Sequence, residues 1–340
     1  MQEMNILYPF DDNYAPYAGV SLTSLLENNR NAEEINIYIL GFDLSEKSVE
    51  KFKKTAEKYG RPITFIDTGA VMALIKDLEL PSYRGAAVAA ARLFITRYMP
   101  EEAERVLYLD SDTTVTGDIR DLFDEDLDGF AAGMVCDSVA GDYRTYIGFG
   151  RDEDYYNAGM ILYNMPQWRN HDCTGLIIEH IRNKRNNYEA LDQDLINLAL
   201  KDRIKRLDLR YNYQPFHLVY TPGTYLKVYG KKGYYSEEEL QKAGEDVRIL
   251  HAFRYLGMFP WHKDSLHPCK AEFEHYKDMS EWNDIKPARD SLDSPAIVIE
   301  RILCRMLPKP LFLRLFKTIF QIQMKRIEKK LQKNKAYVNI

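Results

Sequence analysis

Residues 105–115 read RVLYLDSDTTV, an apolar run that stops on Asp110 and Asp112 with Ser111 between them. The run shows no polar alternation, which marks a strand covered on both faces and therefore a central place in a parallel sheet. If the extended backbone continued, the two carboxylates would fall on one side, because side chains at i and i+2 share a face. Like charges there repel, and a proton, an arginine or a divalent cation is needed to offset the repulsion. The alternative is a simple turn, since Asp and Thr bond nearby backbone and Thr113-Thr114 follow at once.

The flanking sequence separates these readings. NILYP (5–9), INIYIL (35–40) and PITFID (62–67) read as strands, and YAGVSLTSLLE (17–27) and SEKSVEKFKKTAEKY (45–59) as helices, the second opening on a Ser/Glu capping signal. Such alternation predicts an α/β fold with a mainly parallel sheet flanked by helices. Open sheets of this kind take ligands beyond the carboxyl ends of their strands, where Asp110 and Asp112 fall. Further on, YYNAGMILYN (155–164) reads as a strand carrying Asn157, Ala158 and Gly159. ALDQDLINLAL (190–200) reads as a helix with Asp192, Gln193 and Asp194 near its start, where carboxylates also serve as caps. RIKRLDLRYNYQP (203–215) suggests a strand leading to an aromatic loop, and RILHAF (248–253) a strand ending near His251. A histidine among Ile, Leu and Phe is commonly a satisfied core residue. If it meets Asp110 and Asp112 in space, the three make a Mn2+ site with positions left for phosphate oxygens.

The 340 residues, 45% hydrophobic and 29% charged, suffice for one large α/β domain or a domain with an appendage. The net charge of −5 argues against a general nucleic-acid binder. From Ala296 onward eleven Lys and Arg stand against two Glu, so the body is acidic and the tail basic. Cys136, Cys173, Cys269 and Cys304 lie far apart without C-x-x-C spacing, suggesting neither a zinc site nor a disulfide framework but free thiols in a reducing cytoplasm. MQEMNILYPFDDNY lacks the basic and apolar regions of a secretory signal, and no run approaches the ~18 apolar residues of a spanning helix.

Taken in order, FDDNYAPYAGVSLTSLL, AARLFITRYMP, RVLYLDSDTTVTGDI, YYNAGMILYNMPQWR, LDQDLINLAL, LRYNYQP and ILHAF followed by FPWHK resemble the family 8 glycosyltransferases. These are retaining nucleotide-sugar transferases of GT-A fold that include glycogenin and bacterial lipopolysaccharide galactosyl- and glucosyltransferases. The resemblance covers about residues 5–265, within a transferase domain drawn as 1–265, a connecting segment 266–295 and a basic helical tail 296–340. It implies that Asp110 and Asp112, with His251, hold Mn2+ (or Mg2+) bridging the diphosphate of a UDP-sugar donor. It further implies a nucleotide-binding turn at Pro9, Phe10, Asp11 and Asn13, with Asp11 on uracil and Tyr14 stacking beside it. Ser111 lies between the paired aspartates, Arg92 reaches the sugar and phosphate region, and Asn157, Ala158 and Gly159 cradle the sugar. Asp192 and Gln193 stand under the anomeric carbon. An amide oxygen is a poor nucleophile, so Gln193 is expected to stabilise and position while the acceptor hydroxyl attacks from the front face. Asp137 is a candidate for sugar contacts, and residues 138–154 for a mobile lid.

One departure stands out. Where the family has His, a glycine and then Lys-Pro-Trp, this chain reads HAFRYLGMFPWHK, with Phe259 at the place of the phosphate-binding lysine. Arg254, His262 or Lys263 is then expected to supply the positive charge and Gly257 a backbone N–H. A catalytically silent UDP or sugar binder is the alternative that Phe259 favours, while a phosphohydrolase lacks a water-activating base. In the tail, Phe312, Leu315, Phe316, Ile319, Phe320, Ile327 and Leu331 recur at helical spacing among basic residues. That pattern suits an anionic membrane surface beside a glycan or glycolipid acceptor, and so a peripheral cytoplasmic enzyme; the alternative is a helix packed on the body or a second subunit.

Overall fold

The computed structural model describes residues 3–80, 86–138, 143–150, 152–184, 191–230, 232–289, 294–319 and 322. Its strands, in chain order, are β1 (Met4–Asp11), β2 (Ile35–Phe42), β3 (Ile63–Phe65), β4 (Arg105–Leu109), β5 (Thr113–Val115), β6 (Ala132–Cys136), β7 (Tyr156–Asn164), β8 (Ile204–Arg206) and β9 (Ile249–His251). Seven form one sheet in the order β3-β2-β1-β4-β7-β6-β8. Pairing is parallel between β1 and β2, β1 and β4, β2 and β3, and β6 and β8. Only β7 runs antiparallel to its neighbours β4 and β6. The central strands are apolar because both faces are covered: Ile6, Leu7, Val106, Leu107 and Leu109 are fully buried.

The helices on either face follow from local chemistry. Ser45 accepts from the Ser48 N–H and caps the helix Glu46–Lys58, which turns Phe52 and Ala56 inward and its lysines outward. The helix Ala15–Asn28 starts with Pro16 in its first turn, where a missing N–H costs nothing, and buries Leu22, Leu25 and Leu26.

Past Leu109 the backbone leaves the extended form, so the expected strand continuation through Asp112 does not occur. The Thr113 N–H and hydroxyl both donate to the Asp110 carbonyl, at 3.1 and 2.8 Å, closing a tight turn. The turn delivers the chain into β5, which pairs with β9 in a separate two-stranded ribbon and sets Thr113 opposite His251. The turn and the charged cluster therefore coexist, the first building the second. RILHAF accordingly lies in this ribbon rather than in the main sheet.

Several of the described residues beyond 265 pack on the body. Trp282 covers Gly19 and stacks obliquely on Phe52, with ring centroids 4.6 Å apart. The segment 309–319 is helical, but its apolar stripe faces inward: Phe312 and Leu313 are buried, and Phe316 lies 5.4 Å from the Phe216 ring. Lys309 and Lys317 donate to the carbonyls of Val219 and Val228. Up to residue 319 the packing alternative thus describes the tail, while Phe320, Ile327 and Leu331 lie outside the described residues. Exposed apolar side chains appear instead on the helix Pro295–Met306, at Val298, Ile299, Ile302 and Met306. Among the described residues no helix is long and apolar enough to cross a membrane.

Candidate active site

At the carboxyl end of β4 the turn brings Asp112 Oδ1 to 3.3 Å and Asp110 Oδ2 to 4.0 Å from His251 Nε2. One ligand atom from each of the three lies within 4.8 Å of the others. Burial works against the charge on Asp112, yet the adjacent His251 ring outweighs it and holds that carboxyl below its ordinary range. Burial, with the Asp112 charge beside it, pushes Asp110 up despite Arg92. Burial also opposes a charge on His251, but the two aspartates raise it overall. Two carboxylates and one imidazole converging on one point, with net negative charge, are a donor set that fits Mn2+ or Mg2+.

Arg92 closes the inner side of this cluster. Its guanidinium donates to Asp110 Oδ1 at 2.8 Å, meets Asp192 Oδ2 at 3.0 Å, and donates to the carbonyls of Ala89 and Ala158. It also lies 4.6 Å above the Tyr108 ring, whose hydroxyl donates to Asp110 Oδ1. Arg92 is thus a strut that joins Asp110 to Asp192. In the helix Leu191–Ala199, Asp192 pairs with Arg92 and the buried Asp194 accepts from Tyr143 and Tyr155.

Above the cluster opens a cavity of about 200 Å³, lined by Pro9, Phe10, Asp11 and Tyr14 from the end of β1, by Arg92, and by Asp110, Ser111 and Asp112. Phe259 also lines it. Two expected residues stand apart. Asn13 makes an exposed contact with Asp11 Oδ2 at 3.5 Å and does not line the cavity. Gly257 has φ +73° and packs against Ile297, its carbonyl accepting from Arg254 Nη1. Of the candidate cations, Arg254 sits 4.5 Å over the Phe259 ring, whereas the His262 ring is edge-on to it and Lys263 is drawn to Ala288 by backbone pairing.

Below the cluster, Gln193 is held at both ends of its amide. Oε1 accepts from the Ala158 N–H at 3.0 Å, and Nε2 donates to Asp137 Oδ2 and the Tyr155 hydroxyl, each at 3.2 Å. Asn157 Nδ2 donates to the same Asp137 oxygen at 2.9 Å. Tyr108, Tyr155 and Asn212 complete these contacts and carry no local signal in the sequence; LRYNYQP alone singled out the neighbourhood of Asn212. Of the proposed lid, residues 139–142 and 151 lie outside the described residues.

A parallel sheet with an antiparallel β7, a ribbon that returns a histidine to an Asp-x-Asp turn, and a cavity on that edge define a GT-A fold. Residues 5–265 match the model of glycosyl transferase family 8, and the chain belongs to that family. It is 27% identical over 288 residues to general stress protein A of Bacillus subtilis, covering 83% of this chain and 96% of that protein. It is 28% identical over 291 residues to the lipopolysaccharide 1,2-glucosyltransferase of Escherichia coli, covering 84% and 80%. Among solved structures, galactosyltransferase LgtC in complex with donor and acceptor sugar analogues superposes with a TM-score of 0.68 at 24% identity, covering 82% of this chain and 96% of that one.

Proposed function

We propose that this glycosyltransferase is metal-dependent and retaining, and that it moves a hexose, glucose or galactose, from a UDP-sugar to a glycan of lipopolysaccharide or another cell-surface polysaccharide. The observation that carries the reading is the convergence of Asp110, Asp112 and His251 at one edge of a cavity that Pro9, Asp11 and Tyr14 also line. The glucosyltransferase of Escherichia coli and the lipopolysaccharide 1,3-galactosyltransferase of Salmonella typhimurium, 27% identical over 296 residues, support the hexose and the acceptor class.

A divalent cation at the cluster supplies Lewis-acid stabilisation of the charge that grows on the departing diphosphate. The chain's own residues do the rest. Arg92 fixes Asp110 and Asp192 relative to each other, so the diphosphate end and the sugar end of the site keep one spacing. Gln193 has its amide oxygen engaged by the Ala158 N–H, which draws electron density from that oxygen and favours a role in positioning over nucleophilic attack. With no strong base required, the acceptor hydroxyl attacks the face that the leaving group vacates, and its proton passes to a phosphate oxygen of UDP.

The enzyme is taken to work in the cytoplasm, peripherally on the inner membrane face. Basic residues of the tail and the exposed Val298, Ile299, Ile302 and Met306 support an anionic lipid surface as partner, though the Phe312 side does not. The test of function is incubation with UDP-glucose or UDP-galactose, Mn2+ and truncated lipopolysaccharide core, with the product anomer read by NMR. An α-linked product is expected from the α-linked donor; a β-linked product overturns retention. Phe259 favours the silent-binder reading, which predicts donor binding without turnover for either sugar.

A further inference from the structure

Asn212 lies in the LRYNYQP segment and is fully buried between the metal cluster and Gln193. Backbone pairing holds it there: the Tyr213 N–H donates to Ile249 O at 2.8 Å and the His251 N–H to Tyr213 O at 3.0 Å, locking the segment along β9. Its side chain touches His251 Nδ1 with Oδ1 at 3.0 Å and Asn157 Oδ1 with Nδ2 at 3.0 Å.

The orientation of these amides follows from groups that cannot flip. The Gly159 N–H is a donor and lies 3.0 Å from Asn157, so Asn157 must present its oxygen on that side. Its nitrogen then faces Asp137 Oδ2, a carboxylate oxygen that accepts. Because Asn157 Oδ1 is an acceptor, Asn212 must offer it an N–H, which turns the Asn212 oxygen toward His251. An oxygen there requires a proton on Nδ1, so Nε2 is the nitrogen that faces Asp112 and Asp110 and the one left to ligate when the ring is neutral. The same Asp137 oxygen accepts from Gln193 Nε2, so the order of donors and acceptors runs unbroken from His251 to Gln193.

We propose that Asn212 is a positioning residue that holds His251 in its Nδ1–H form, with Nε2 free to ligate, and ties that ligand to Gln193 through Asn157 and Asp137. The inference rests on the metal-site reading above and extends it to a residue outside the cluster. Partners that orient a ligating histidine contribute about 10- to 100-fold in metal affinity.

The test uses full-length protein with 15N-labelled histidine, the His251 signals being assigned by their loss in His251→Gln. In metal-free wild type, above the protonation range of the ring, long-range 15N–1H correlation is expected to show a protonated Nδ1 and a bare Nε2. Asn212→Leu is expected to lose that pattern and to bind Mn2+, followed by EPR of the free ion, about 10- to 100-fold more weakly. Asn212→Asp keeps an acceptor for Nδ1–H, so the pattern and Mn2+ affinity stay near wild type while kcat falls at least tenfold with the link to Asn157 broken. A wild-type His251 carrying its proton on Nε2 overturns the proposal whatever the variants do, and so does a folded Asn212→Leu that binds Mn2+ as wild type does. If Asn212→Leu does not fold, the wild-type spectrum and Asn212→Asp decide. Failure of the metal-site reading is distinct, appearing as wild type that takes up no Mn2+ with UDP present.

Discussion

A Cβ on Gly159 would lie 2.0 Å from His251 Cε1, inside any real contact distance, and the ring cannot retreat without leaving Asn212. Gly159→Ala is therefore expected to keep the fold and lower Mn2+ affinity at least tenfold, measured by EPR; unchanged affinity would show that the ring has room. The sequence made Gly159 legible as a small residue permitting close approach, but for a sugar rather than for an imidazole. Arg92 was legible as a site arginine, yet three of its four partners, Asp110, Ala158 and Asp192, come from other segments of the chain, so its role as a strut was not. Arg92→Gln leaves Asp110 and Asp192 without their shared cation. Breaking a buried pair of this kind costs about 3–5 kcal/mol, and somewhat less here because both carboxylates are partly exposed. Chemical denaturation is expected to show such a loss, with activity down at least a hundredfold.

At the scale of elements, the loop after β9 is where the sequence HAFRYLGMFPWHK lacks the lysine that the family resemblance implies. Leu256 and Gly257 both take positive φ, 51° and 73°, and Arg301 Nε holds the Leu256 carbonyl at 3.1 Å. The extra residues that this turn absorbs carry Phe259 to the cavity wall and Arg254 onto its ring. Arg254 also acts electrostatically on Tyr14, which lines the same cavity. Arg254→Gln is expected to raise the dissociation constant for UDP roughly tenfold, about 1.4 kcal/mol; a change below twofold would remove Arg254 from donor binding. The sequence showed the missing lysine but not its replacement, because a loop with two left-handed residues has no periodicity to read.

For the molecule as a whole, strand–helix alternation made the parallel half of the sheet legible, and the apolar interiors of NILYP and RVLYLD marked its central strands. The β5–β9 ribbon was not legible: its strands are three residues each and pair residues 113 and 251. The tail's stripe was legible as amphipathic, but periodicity does not say whether lipid or protein covers it. Two buried histidines outside the ligand set, His217 and His267, give the molecule an acid limit. Burial pushes His217 down to about 3 and His267 down to about 4, from 6.5. Both are neutral in the folded chain, so below pH 6.5 the unfolded chain binds more protons and stability falls with pH until those lower values are passed. At pH 5 this amounts to about 2 kcal/mol per histidine. Denaturant unfolding at pH 7.5 and 5 should show a smaller loss in a His217→Gln/His267→Gln variant than in wild type, and equal losses would contradict burial of neutral rings.

We propose that Asp110, Asp112 and His251 complete a site with a divalent cation and a diphosphate. Calorimetric titration of UDP, UDP-glucose and UDP-galactose, with and without Mn2+, on wild type and Asp112→Ala tests it most directly. Binding is expected to require Mn2+ and to disappear in the variant, with one UDP-sugar preferred. Binding of UDP that is equally tight without metal, or undiminished in Asp112→Ala, would contradict it.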